Sequence, residues 1–126
     1  MRETVLLINF KDKDKALAIR SICMAKKIKV KVISKEDYAQ PMGYLAGIKE
    51  LYNENAVYEG EELDSEMMVF AGLKSGTLDY ILNTMKARRI APVSCKAMLT
   101  DTNKDWTVPA LFAELKAEHE YMTGKK

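Results

Sequence analysis

"TVLLINFKDKDKALAIRSICMAKK" (residues 4–27) and "MMVFAGLKSGTLDYILNTMKARRI" (residues 67–90) align without a gap. Each begins with an unbroken apolar run rich in β-formers, which is the pattern of a strand covered on both faces. Each continues with a lysine, polar residues able to cap a helix, an amphipathic stretch and a basic doublet. In the first copy Asp12 or Asp14 can cap a helix whose apolar positions are Leu17, Ala18, Ile22, Ala25 and Ile28. In the second, Ser75 or Thr77 can cap, and Leu78, Ile81, Leu82 and Met85 share one face. A further strand follows each copy. "IKVKVIS" (28–34) alternates apolar and basic residues as an edge strand does, and "APVSCKAML" (91–99) closes the second unit.

Two βαβ units are the simplest account, the first about 4–34 and the second, together with a terminal helix from about Val108 to Met122, about 67–122. Between them lies an insert, about 35–66. It holds a helical piece near Gly43–Leu51 and then the acidic, irregular stretch "NENAVYEGEELDSE", the segment expected to move most. The expected fold is a single α/β domain with a four-stranded, three-layer sheet. Right-handed crossovers within the units are taken to set the two apolar strands side by side, central and parallel. A ferredoxin-like α+β sheet with extra helices satisfies the same pattern. Regular strand–helix alternation favours the former.

A chain of 126 residues fits one domain, and 48% hydrophobic residues suffice for a core. Twenty Lys+Arg against 18 Asp+Glu give a net charge of +2, too balanced for a surface that grips nucleic acid all round. No apolar run reaches the length of a membrane span or has the flanks of a signal peptide. Cys23 and Cys95 stand far apart with no CxxC, which speaks against a disulfide framework or a zinc site and for a reducing cytoplasm. The "TGKK" end reads as a solvated tail.

If the strands were all parallel, their carboxyl ends would gather "NFKDKD", "SKED", "GLKSGT" and "TDTNKD". Lys11, Lys74, Ser75, Gly76, Thr77, Thr100, Thr102 and Asn103 would then surround a small anion with help from helix N-termini. The plainer alternative is that they are caps and turn residues. "GLKSGT" lacks the GxxxxGK[ST] order, so nucleotide hydrolysis is not expected. Lys96 sits within a strand, where it either faces solvent on an edge or meets a carboxylate or anion near Thr100. Trp106 covers the end of the core against the last helix, or else offers a stacking platform.

His119, the only histidine, falls on the apolar stripe Val108, Leu111, Phe112, Leu115, Met122, which favours a packed residue over a base. Thr107 is the natural cap of that helix. The doublets Lys26-Lys27 and Arg88-Arg89 end corresponding helices and would form one modest basic patch, the sole opening for a nucleic-acid adaptor. An RNA-recognition sheet is disfavoured because "MMVFAGL" offers only Phe70 for stacking.

The second half, roughly Met67 to Met122, resembles the bacterial family called domain of unknown function 3783. The resemblance is carried by "MVFAGL", a leucine-bearing helix, "KAMLTDTNKDW" and "LFAELKAEHEYM". Lys96, Thr100, Thr102, Asn103, Trp106, Glu118 and His119 match that pattern, of which KAxLTxTNxxW is the most specific part. The resemblance implies a small bacterial cytoplasmic protein and carries no activity with it. The residues therefore lead to a non-catalytic domain for a small ligand or a protein partner. Its site is placed at Thr100–Trp106, with Lys96, Lys74 and Ser75 nearby, and no cofactor or metal is expected. A small enzyme using Lys96 or His119 is the rival reading. It lacks an accompanying nucleophile, acid and base.

Overall fold

The computed structural model describes residues 2–123, and side chains as far as Glu118. Its elements run β1 (Thr4–Ile8), α1 (Lys13–Met24), β2 (Lys29–Ile33), α2 (Met42–Ala46), β3 (Met67–Ala71), α3 (Thr77–Ala87), β4 (Cys95–Met98) and α4 (Val108–Thr123). Short 3-10 turns at Lys35–Asp37 and Lys49–Leu51 flank α2, and the helical piece expected near Gly43–Leu51 breaks at Gly47, whose φ is 124°. The places expected for the His119 and Met122 side chains, and the tail beyond them, lie outside the described residues.

The sheet order is β2-β1-β3-β4. β1 pairs in parallel with β2, and β3 in parallel with β4, so both βαβ units form as the repeat implies. β1 and β3 are central neighbours, but they are antiparallel, with Thr4 facing Ala71 and Ile8 facing Met67. This corrects the expected parallel pairing. The crossover rule governs each βαβ unit and says nothing about the join between units. Here the insert leaves from the end of β2 and delivers β3 to the sheet edge at which β1 and β2 end. The second unit therefore runs back beside the first.

Antiparallel placement also sets the layers. Two right-handed units that step outward from adjacent antiparallel strands put both helices on one face. Val5, Leu7, Met68 and Phe70 point to that face and pack with Ile19, Ile22 and Cys23 of α1 and Ile81 and Met85 of α3. The alternate residues Leu6, Ile8, Met67, Val69 and Ala71 point the other way, against Tyr38, Met42 and Leu45 of the insert and Val108, Leu111 and Phe112 of α4. The period of two sorts each strand between two cores. Each fully buried aliphatic side chain contributes about 1.5–3 kcal/mol.

The two units match in their turns as well. Asn9 after β1 and Gly72 after β3 both have left-handed backbone, with φ of 61° and 68°. Asn9 is held there by its amide, which donates to the carbonyls of Leu63 and Ser65 in the insert. Both helices end by turning left-handed on a basic residue, Lys27 (φ 60°) and Arg89 (φ 59°). The next N–H groups, of Ile28 and Ile90, then donate back to Cys23 and Met85 carbonyls at 3.0 and 2.9 Å. A side chain in that conformation is strained and glycine is not. Lys27→Gly and Arg89→Gly are each expected to stabilise the fold by about 0.5–1 kcal/mol, read as a higher urea midpoint.

Candidate functional site

The antiparallel join separates the loops that a parallel sheet would gather. Lys11 follows β1 at one edge of the sheet, whereas Lys74, Ser75, Gly76 and Thr77 follow β3 at the opposite edge. The composite anion site around all of them is therefore not formed. The basic doublets are parted for the same reason, because α1 and α3 run in opposite directions. Lys26 lies at the start of α3, with its ammonium 5.2 Å from the Tyr80 ring centroid, while Arg88 and Arg89 end α3 at the far edge. The single basic patch expected from the doublets does not exist.

Ser75 and Thr77 do not cap α3 as expected. Gly76 stands at the cap position with φ 86° and contributes no side chain. Glu3, just before β1, ties the turn instead, its carboxylate accepting from the Thr77 hydroxyl and from the Lys74 N–H at 2.8 Å. Glu3, Lys26, Ser75, Gly76, Thr77 and Tyr80 line a polar cleft of about 320 Å³, so an internal carboxylate already occupies the anion-favouring end of α3. The Thr77 hydroxyl, then the Lys74 N–H, hold Glu3 below its ordinary pKa of 4.5. A depressed carboxylate stabilises the fold above its unfolded pKa and loses that contribution as pH falls through the folded one. Glu3→Gln is therefore expected to flatten the acid limb of the stability profile below about pH 4.5, the ordinary carboxylate range, in melts taken between neutral and acid pH. Asp12 caps α1 as expected, accepting from the Lys15 N–H at 3.1 Å.

The loop Thr100–Trp106 is spent on the fold. Asn103 is buried, and its side-chain oxygen accepts from the Thr100 N–H at 2.8 Å while its NH₂ donates to the Met98 carbonyl at 3.0 Å. Its own N–H donates to the Thr100 hydroxyl at 3.1 Å. The loop's carbonyls are used too. Lys104 accepts from Gly43 N–H at 2.7 Å and Trp106 from Met42 N–H at 2.8 Å, so the loop caps α2 of the insert. Gly43 is needed for that approach, since a Cβ there would stand 3.1 Å from the Lys104 carbonyl oxygen and 2.6 Å from Leu51 Cδ1. Thr107 caps α4 by accepting from the Ala110 N–H at 3.4 Å. Trp106 is half-buried against the core beneath α4, and Thr102 is exposed.

Lys96 takes neither expected course. It is half-buried on the α3 side of β4, and its ammonium donates to the Val93 carbonyl. It lines an apolar groove of about 360 Å³ with Leu82, Met85, Lys86 and Ile90. Among the described residues it has no carboxylate partner. A second groove, about 230 Å³, lies between α1 and β2 and is lined by Phe10, Lys13, Leu17, Arg20 and Val32 among others. Leu17, one of the apolar positions of α1, is 61% exposed, because Ile19, Ile22 and Cys23 make the inner face of the helix. Met98 and Val32 hold equivalent register positions on the two edge strands and are 41% and 66% exposed. These grooves escaped the sequence reading. The available signal was the apolar pair Val30 and Val32 on a strand already identified as an edge.

The acidic stretch 53–66 is tied down at intervals. Gln40 exchanges two hydrogen bonds with the Asn53 backbone, and Tyr38 donates to Glu62. Lys116 pairs with Asp64 at 2.6 Å, and Lys15 pairs with Glu66. Burial first, then Glu62, raises the Tyr38 phenol, which stays protonated as the donor. Lys31 donates to the Leu45 carbonyl at the end of α2, and burial, then Lys29, lowers its pKa. Cys23 and Cys95 are buried and unpaired, and burial pushes the Cys23 thiol up to about 11. Among the described residues no group of His, Cys, Asp and Glu could hold a metal ion, and no helix is long and apolar enough to cross a membrane.

No curated protein and no solved structure matches this chain. A family match covers the second βαβ unit and α4, the half that carries Lys96, Asn103 and Trp106. Residues 66–122 match the family described as Domain of unknown function (DUF3783).

Proposed function

We propose that this chain is a non-catalytic protein-interaction domain that works through the open edges of its sheet. One observation carries this reading. Two helices sit over four strands on one face, and the outer strands are left with exposed apolar residues, Val32 and Met98, beside apolar grooves. Exposed apolar surface rimmed by polar groups is characteristic of interaction sites. The Thr100–Trp106 loop supports the same reading by default, since its best donors and acceptors are already paired within the fold. The Lys96 ammonium is engaged with a carbonyl, which disfavours its use as a base. A bacterial cytoplasmic setting goes with this proposal, supported by the family resemblance and by two buried, unpaired cysteines.

Selection from a random-peptide display library on the folded chain tests it. Enriched peptides should compete with one another, and their binding should weaken with Leu17→Asp or Met98→Asp, both exposed positions. Enrichment no greater than on the heat-denatured chain overturns the reading, as does a small metabolite that raises the melting temperature of the native chain but not of an Asn103→Ala variant.

A further inference from the structure

The two edges of the sheet are not equally open. In β4 the Leu99 N–H donates inward to Phe70, so Lys96 and Met98 turn their backbone groups outward. The outward carbonyl of Met98 is closed by the Asn103 side chain. In β2 the Lys29 N–H donates inward to Glu3, so Lys29, Lys31 and Ile33 face β1 and Val30 and Val32 turn outward. Nothing among the described residues takes up their N–H and C=O groups. Val32 and Leu17, 66% and 61% exposed, border the groove directly beside this open edge.

Charge decides what can dock there. Among the described residues, the charged side chains that line the groove are Lys13 and Arg20. Lys29 and Lys31 stand on the other face of the same strand, with Asp37 acting on Lys31 from beyond the strand's end. A second copy is the wrong partner, because edge-to-edge pairing of β2 with β2 sets Lys29 and Lys31 against the same residues of its mate. The same lysines attract a strand of opposite charge.

We propose, resting on the interaction-domain reading, that β2 takes an extended acidic–apolar segment of a partner protein as a fifth strand. Its backbone pairs with Val30 and Val32. An apolar side chain enters the groove beside Leu17 and Val32, while the carboxylates, alternating to the opposite face, meet the exposed Lys29.

The probe is the peptide acetyl-Glu-Val-Asp-Val-Glu-Val-Asp-amide, titrated into ¹⁵N-labelled chain. Shifts should centre on Val30, Val32, Leu17 and Arg20, and added salt should weaken them. Val32→Asp should reduce affinity at least about tenfold, and so should N-methylation of alternate peptide amides. A lysine-for-acid version of the peptide should not bind. Shifts confined to Leu82 and Met98 would overturn this assignment while leaving the interaction-domain reading in place. Full binding by the N-methylated peptide would overturn strand addition. Concentration-dependent dimerisation lost on Val32→Asp would assign the edge to a second copy, and co-sedimentation with phosphatidylserine vesicles without peptide binding would assign it to a membrane surface, each against the proposal. No shifts with this peptide, when library-selected peptides do bind, sinks the acidic-strand assignment alone. No binding by either sinks both.

Discussion

Tyr38→Ala is expected to destabilise the protein by about 3–5 kcal/mol, as loss of a large buried aromatic does. Tyr38 is 1% exposed and lies in the core between the insert and the sheet. Its ring packs on Tyr58 at 5.3 Å between centroids, its hydroxyl donates to Glu62, and its carbonyl accepts from Val108 at the start of α4. The residue therefore joins the acidic stretch, the insert and the last helix at one point. Tyr38→Phe keeps the ring and removes the hydroxyl. It should cost about 1 kcal/mol, because Glu62 is exposed and water replaces the lost donor. Amide exchange in residues 53–66 should speed up in both variants, far more in the alanine one. Equal and small losses from the two substitutions would show that the ring is not a keystone of the core.

Asn103→Ala is expected to cost about 2–3 kcal/mol. The substitution leaves the Thr100 N–H and the Met98 carbonyl without their partner, and it loosens the loop that caps α2 through Lys104 and Trp106. A loss of this size lowers the melting temperature of a chain of this length by roughly 10 °C. An unchanged melting curve would return Asn103 to the role of a ligand residue. Asn103→Asp keeps the acceptor and loses the donor to Met98, so an intermediate loss separates the two bonds.

Much of this was legible in the residues. The apolar runs at 4–10 and 67–73, each followed by a cap and an amphipathic helix, specify two βαβ units, and both form. Their relative direction was not legible. It depends on where the insert delivers β3, which is settled by contacts such as Gly43 against Lys104, some 60 residues apart. Which apolar positions of α1 face inward was not legible either. A helix with Leu17, Ala18, Ile19, Ile22 and Cys23 offers two overlapping apolar stripes, and only packing against Val5, Leu7 and Phe70 chooses between them. The Thr100–Trp106 loop was identified as dense in hydrogen-bonding groups, and it is. Its partners are its own backbone, the end of β4 and the amides of α2, which no local pattern announces.

The direction of β3 against β1 underlies the rest of the account. It separates Lys11 from Lys74, parts the two basic doublets and puts α1 and α3 on the same face. Interstrand Hα–Hα nuclear Overhauser contacts test it, since antiparallel strands bring alternate facing Hα atoms close and parallel strands do not. Contacts should appear at the non-hydrogen-bonded pairs of the β1–β3 join, Val5 with Phe70 and Leu7 with Met68, whose backbone groups turn outward to β2 and β4. Contacts that instead set Thr4 beside Met67 and Ile8 beside Ala71, with no Hα–Hα pairs, would show parallel strands and contradict the account.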